Sequence, residues 1–266
     1  MTALAQPVLG SPASRLNPVS KMAAVAIQSV ALLLSIDWVS AAIAVALNLM
    51  LFAWAGLTWS QFWKRTFPIW IAAAIGGLTT TLYGRVSGTI YVELWLIVIS
   101  DGSIALGVAT ALRVLAIGLP GIVLFATTDP TDLADGMAQL LKLPARFVLG
   151  GLAGIRLVGL FIDDWRQLSL ARRARGVADT GGWLQRLRRF LDQAFALLVL
   201  AIRRGTKLAT AMEAKGFGAP VTRTWARPSV LRPQDAALIG LAILISAAAI
   251  AGALAAGTWV FILNNR

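Results

Sequence analysis

The 266-residue chain contains no cysteine and no histidine, only two tyrosines, and twelve acidic residues against 24 lysines and arginines. The first two absences exclude disulfides, Cys/His metal sites, thiol nucleophiles and histidine general-base chemistry. No G-x-x-x-x-G-K-[ST] stretch occurs, so the chain has no P-loop with which to bind ATP. Charge is scarce at 14% of residues and apolar residues abundant at 58%. Soluble domains run nearer about 45–50% apolar and about 25% charged, which places this chain in the membrane class.

Apolar runs occupy residues 22–36, 39–58, 67–83, 89–99, 103–126 and 235–262. Crossing about 30 Å of hydrocarbon takes about 20 helical residues. The runs at 39–58, 103–126 and 235–262 reach that length, and those at 22–36 and 67–83 suffice with local thinning. The run at 22–36 also resembles a signal-peptide core, but the later spans favour a first membrane segment. The run at 89–99 is too short and is expected to dip or lie at the interface.

The cations are concentrated in one window. Seventeen of the 24 lie between Lys142 and Arg232 with only five acids, an excess equal to the whole net charge of +12. Beside membrane spans such a block marks the cytoplasmic side. Arg15 and Lys21 precede the first run, and Lys64 and Arg65 follow the second. All three groups fall inside if 89–99 does not cross. The expectation is an all-α polytopic bundle of about five spans in the cell inner membrane. Its N-terminus would be cytoplasmic and its C-terminus external. Three regions follow: a membrane region at 1–126, a cytoplasmic helical region at 127–233 and a last span at 234–266. Trp38, Trp59, Trp63 and Trp70 sit near run ends, where interfacial aromatics belong. Arg113 lies within a span and requires a polar contact there, either an acid in the bundle or, alternatively, a transport role.

The basic region reads as a short helix near 131–141 and two long ones. The first begins at Pro144 and carries Val148, Leu152, Ile155, Val158 and Ile162 at steps of three and four. The second runs from about Gly182 to Lys215, with Leu184, Leu187, Leu191, Phe195 and Leu198 on one stripe. They end alike, in Ala174-Arg175-Gly176 and Ala214-Lys215-Gly216. A cation in a last helical turn complements the helix dipole, and glycine permits the left-handed residue that stops a helix. Capping alone accounts for either end, whereas the repetition also suits two projecting cations docking into acidic grooves of a partner.

Four segments carry a family resemblance: RLNPVSKM (Arg15–Met22), LFATTDPTDLADGMAQLLKLP (Leu124–Pro144), RRARG (Arg172–Gly176) and AMEAKGF (Ala211–Phe217). With them the chain resembles the transmembrane coupling subunits of energy-coupling factor (ECF) transporters, the EcfT family with its CbiQ and BioN branches. The resemblance implies two long crossing helices whose terminal cations enter grooves of two ABC ATPases. By position these are Arg175 and Lys215. It also implies a separate membrane substrate-binding (S) subunit, a vitamin, vitamin precursor or transition metal ion as cargo, and no cofactor or catalytic site in this chain. The second helix end departs from the family in having Lys where Arg is usual, which keeps the charge but loses the bidentate fork.

Two other functions compete. Asp132-Leu-Ala-Asp135-Gly136 resembles the opening of the CDP-alcohol phosphotransferase motif, but Gln139-Leu140 follows where Ala-Arg is needed and the later Asp pair is missing. A basic segment could also bind anionic lipid or nucleic acid by charge alone. The regular spacing of the two helix ends argues against a diffuse role, and nucleic acid is not an expected partner.

Overall fold

The computed structural model describes residues 12–35, 37–54, 58–94, 97–176, 182–219 and 224–259. Among these residues eight α-helices dominate: α1 (Pro18–Leu33), α2 (Trp38–Trp54), α3 (Trp59–Tyr83), α4 (Asp101–Ala126), α5 (Pro130–Gln139), α6 (Ala145–Ala174), α7 (Trp183–Ala214) and α8 (Pro233–Ala255). The chain is an all-α membrane bundle, with one two-stranded hairpin, β1 (Ile90–Leu94) and β2 (Ile97–Ser100), between α3 and α4. It divides into two compact units, one of residues 1–136 with 229–266 and the other of residues 137–228.

In the first unit α4 packs on α3, α2 and α1, and α8 closes against α1 and α2. The core is built from Leu32, Ala44, Val45, Phe52, Leu115, Ala116, Leu119 and Ala249. The α3–α4 contact is set by small residues. A Cβ on Gly77 would lie 2.9 Å from both the Gly107 carbonyl oxygen and the Ala111 Cβ. A Cβ on Gly107 would lie 2.7 Å from the Gly77 carbonyl oxygen. Backbones approach this closely in membranes because lipid supplies no hydrophobic drive and packing must replace it.

α3 starts eight residues before the apolar run at 67–83 and runs through Pro68. The extension includes Lys64 and Arg65, which hydropathy alone leaves out. Arg65 Nη1 donates to the carbonyl of Ala126, the last residue of α4, at 3.1 Å. A cation there offsets the unpaired carbonyls of a helix end. The 89–99 segment is an antiparallel hairpin with a register shift between Ile90 and Val92, although Trp95 and Leu96 lie outside the described residues. Asp101 accepts from the Thr89 amide at 3.2 Å, and Ser100 caps α4 with its hydroxyl on the Ser103 amide. So short a run, rich in β-branched residues, suits paired strands better than a helix.

Length and composition make α3, α4, α6 and α8 capable of crossing a membrane, with α1 and α2 shorter at 16 and 17 residues. At about 1.5 Å per residue, α1 covers about 24 Å. The ends of the apolar runs 22–36 and 235–262, and with the latter the expected external C-terminus, fall outside the described residues.

At one end of the first unit the basic residues Lys21, Arg65 and Arg232 gather around buried polar groups. Asn17 caps α1, its Oδ1 accepting from the Val19 amide at 2.9 Å. Asp235, only 2% exposed, accepts from the amides of Asn17 and Arg232, both at 2.7 Å. Asn17 Nδ2 donates to Ser229 Oγ at 2.9 Å and to the Val230 carbonyl at 3.3 Å. Lys21 Nζ donates to the Thr127 carbonyl at 2.9 Å and to the hydroxyls of Thr127 and Thr128 at 3.3 Å. Its three protons thus meet three oxygens, which makes burial of the ammonium tolerable.

Candidate coupling site

The second unit is built on α6 and α7, which run antiparallel. Arg146, at the start of α6, donates to the Gly218 carbonyl just past the end of α7. Midway, Arg204 Nη2 donates to Asp164 Oδ1 at 2.9 Å. Arg204 Nη1 lies 2.6 Å from Asp164 Oδ2, an ion-pair contact off the hydrogen-bond axis. Gln193 Nε2 donates to the Trp165 carbonyl at 2.8 Å, and the Trp165 and Phe190 rings pack with centroids 5.2 Å apart. Near the end of α6, Arg172 Nη1 donates to the Arg189 carbonyl at 3.2 Å, in the second turn of α7.

The two Ala-cation-Gly ends have the same backbone geometry. Arg175 is the C-cap of α6 with φ −86° and ψ 10°, and Lys215 is the C-cap of α7 with φ −86° and ψ 12°. Each is followed by a left-handed glycine, Gly176 at φ +77° and Gly216 at φ +73°. The Gly176 amide donates to the Arg173 carbonyl at 3.0 Å, and the Gly216 amide to the Glu213 carbonyl at 2.9 Å. The α7 end completes a Schellman motif, since the Phe217 amide donates to the Met212 carbonyl at 2.9 Å. Ala174, Arg175 and Gly176 are exposed, as are Ala214, Lys215 and Gly216. A Cβ at either glycine would meet nothing within 4 Å. Neither cation makes a side-chain hydrogen bond or ion pair with a described residue.

Because the helices are antiparallel, these ends point to opposite extremities of the pair. α6 has 30 residues, so the two cations lie on the order of 45 Å apart. The two helix ends thus carry exposed cations on matching backbones, neither of them ion-paired with an acid among the described residues. The long helices between them leave much apolar surface uncovered, including Phe147, Ile155 and Val158 on α6 and Leu187, Phe195 and Ile202 on α7.

The other expected site residue, Arg113, sits within α4 with its Nε and Nη2 buried and making no hydrogen bond. Asp37 is the acid whose charge reaches it. That carboxylate accepts instead from the Ser40 amide at 2.6 Å and the Ser40 hydroxyl at 2.7 Å. Asp129, just before the Asp132–Gly136 segment likened to a phosphotransferase motif, accepts from the Thr131 amide at 2.7 Å as an ordinary helix-start acid. From sequence Lys21 has only a topological role, and Asn17, Gly136, Ser229 and Asp235 have no individual one. The available signals were the two motif segments holding the first three and a lone acid opening an apolar span.

The fold defines the class: an integral membrane protein with helices long and apolar enough to cross a bilayer, joined to a unit built on a long antiparallel helix pair. The family model of the CbiQ cobalt transport proteins matches residues 10–224. The energy-coupling factor transporter transmembrane protein EcfT of Listeria innocua is 30% identical over 240 residues, 86% of this chain and 90% of that protein. The Streptococcus equi EcfT is 26% identical over 239 residues, covering 87% and 88% of the two chains. The Lactococcus lactis EcfT is 27% identical over 245 residues, covering 87% and 90%. The chain belongs to the CbiQ/EcfT family of transporter membrane proteins.

Proposed function

We propose that this chain is the transmembrane coupling subunit of an ECF-type ABC importer. Two cytoplasmic ATPase subunits take the α6 and α7 tips, Arg175 and Lys215 entering acidic grooves with Ala174 and Ala214 allowing close approach. A membrane S subunit rests on the uncovered apolar faces of the same helices. ATP-driven closure of the ATPases displaces the tips, tilts the helices and moves the S subunit between outward and inward states. The cargo is a vitamin, a vitamin precursor or a transition metal ion, selected by the S subunit. This chain contributes no catalysis, since hydrolysis belongs to its partners.

The observation that carries this reading is the identity of two exposed cation-Gly ends at opposite extremities of one antiparallel helix pair. Capping explains each end, but capping does not require both to be open, unpaired and equivalent. Charge placement supports an inner-membrane protein with a cytoplasmic N-terminus. Lys21, Arg65 and Arg232 lie at one end of the first unit, together with the points where the chain leaves it and returns. Although α6 is apolar and long enough to span, its Asp164 is tied to α7, a helix with Arg186, Arg188, Arg189, Arg203, Arg204 and Lys207. So charged a helix belongs in water at the membrane surface, and α6 with it. Five spans, α1 to α4 and α8, then keep Arg15, Lys21, Lys64, Arg65 and the basic block from Lys142 to Arg232 inside.

The decisive experiment is co-purification in detergent from cells expressing the chain with the products of its neighbouring genes. Two ATPase chains and one small membrane protein are expected to accompany it. Isolation of the chain without an ATPase would overturn the proposal.

A further inference from the structure

Two segments of the chain that carry the family resemblance, Arg15–Met22 and Leu124–Pro144, meet at one place although more than a hundred residues separate them. The chain leaves the first unit after Gly136 and returns to it at Ser229. The returning point bonds to Asn17, and the outgoing point lies beside that residue. Its Nδ2 donates to Ser229 Oγ at 2.9 Å, and a Cβ on Gly136 would lie 3.6 Å from its Oδ1 and 3.5 Å from Ser229 Oγ. The same Cβ would lie 2.8 Å from Val19 Cγ2, so only glycine lets α5 sit this close. One turn further along α1, Lys21 holds the Thr127 carbonyl and the Thr127 and Thr128 hydroxyls, the segment that leads into α5. Asp235 completes the arrangement by binding the Asn17 and Arg232 amides, which fixes the start of α8 to the start of α1.

We propose that Asn17 and Lys21 form a clasp that grips both connections to the inserted helical unit and passes its movement into the membrane helices. The argument is mechanical. A helical unit joined to a bundle by two chain segments can swing without moving the bundle unless those segments are held. Here the outgoing segment is held by Lys21 and by the close approach of Gly136. The returning segment is held by Asn17. All of these anchors converge on the first turn of α1. The groups are buried, with Asn17 8% and Lys21 6% exposed, so the bonds face little competition from water. A structural role alone would need Asn17 only as a helix cap. Its Nδ2 contributes nothing to the cap and is committed to the returning segment. These are positioning residues, and the inference rests on the coupling function proposed above.

The test uses the whole reconstituted transporter with its partners' cysteines replaced. The absence of native cysteine lets spin labels be placed at Thr79→Cys on α3 and Leu244→Cys on α8, two exposed positions within the membrane bundle whose separation changes only if movement is passed into it. Label separation is measured with ADP and again with ATP plus orthovanadate. The otherwise unaltered chain should shift by about 2–5 Å, the scale of packed-helix movements. Asn17→Asp keeps the cap acceptor but removes the Nδ2 donor, and Lys21→Met keeps the length but removes the ammonium. Each should abolish most of the shift while ATP hydrolysis by the bound partners stays within about twofold. A full-sized shift in both variants overturns the clasp. If Asn17→Asp does not accumulate, Ser229→Ala removes the acceptor from the other side and should reduce the shift at least by half. An undiminished shift there also overturns it. Loss of the ATPases from the unaltered complex, or no nucleotide-dependent shift in it, refutes the coupling function itself and is distinct from either result.

Discussion

Arg175 and Lys215 stand at the same point of the same helix-ending geometry, with φ equal at −86° and ψ within two degrees. They differ in what their side chains offer. The guanidinium presents a planar fork that can grip both oxygens of a carboxylate, whereas the ammonium is a compact point charge. On the proposed coupling function, equivalent backbones with unequal heads should make the two tips contribute unequally to partner binding.

Reversal of charge at the α6 tip should therefore release an ATPase. Arg175→Glu is expected to abolish ATPase co-purification at that end and to reduce uptake at least tenfold. Membrane insertion should be unaffected, as judged by protease protection. Normal uptake in this variant would remove Arg175 from the coupling site.

At the α7 tip, Lys215→Arg should be tolerated or should tighten partner binding, and Lys215→Ala should weaken it. The loss of a charge-assisted hydrogen bond is about 1.5–3 kcal/mol, which corresponds to at least a tenfold weaker association in a titration with purified ATPase. Equal affinities for Lys215→Ala and the native chain would leave that end with a capping role only.

The glycines that follow the cations should be sensitive in a different way. Gly176→Ala and Gly216→Ala meet no neighbour, yet each forces an L-residue into the left-handed region at about 1–2 kcal/mol. The expected outcome is fraying of the last helical turn, seen as faster amide hydrogen exchange near Arg173 and Glu213. Exchange no faster than in the native chain would show that these ends are held by something other than their glycines.

Within the first unit, Gly77→Val should separate α3 from α4. Its Cβ position is already 2.9 Å from the Gly107 carbonyl oxygen and the Ala111 Cβ, neither of which can swing aside. Overpacking of this kind costs about 1–3 kcal/mol, and the midpoint of thermal unfolding in detergent should fall by several degrees. Gly76→Val, with nothing within 4 Å, is the matched control and should leave it unchanged.

Much of this architecture was legible before any coordinates. The two long helices end within a residue of where their glycines and cations place them, because cap chemistry is local and depends on neighbours in sequence. The short helix near 131–141 is present as α5 for the same reason. The start of α3 was not legible, because Lys64 and Arg65 interrupt the hydropathy while the helix continues. What retains Arg65 is the Ala126 carbonyl, supplied by a helix sixty residues away. The hairpin at 90–100 was likewise read only as too short to span. A pairing register depends on which residues face each other, and a hydropathy run does not contain that. The convergence of Asn17, Gly136 and Ser229 was hidden for the same reason, since it joins three parts of the chain through single contacts.

The antiparallel course of α6 and α7 relates their two ends by an approximate half-turn about an axis near Asp164 and Arg204. One asymmetric chain thereby offers a nearly symmetric plug. Two copies of a single ATPase related by a twofold axis would each meet the same hook from an equivalent direction, so the assembly would need no second kind of ATPase to accommodate an undivided membrane subunit. The Arg-to-Lys difference, with Arg172 and Arg173 before one tip and Met212 and Glu213 before the other, would then tell the two sockets apart and give an otherwise symmetric motor a preferred side.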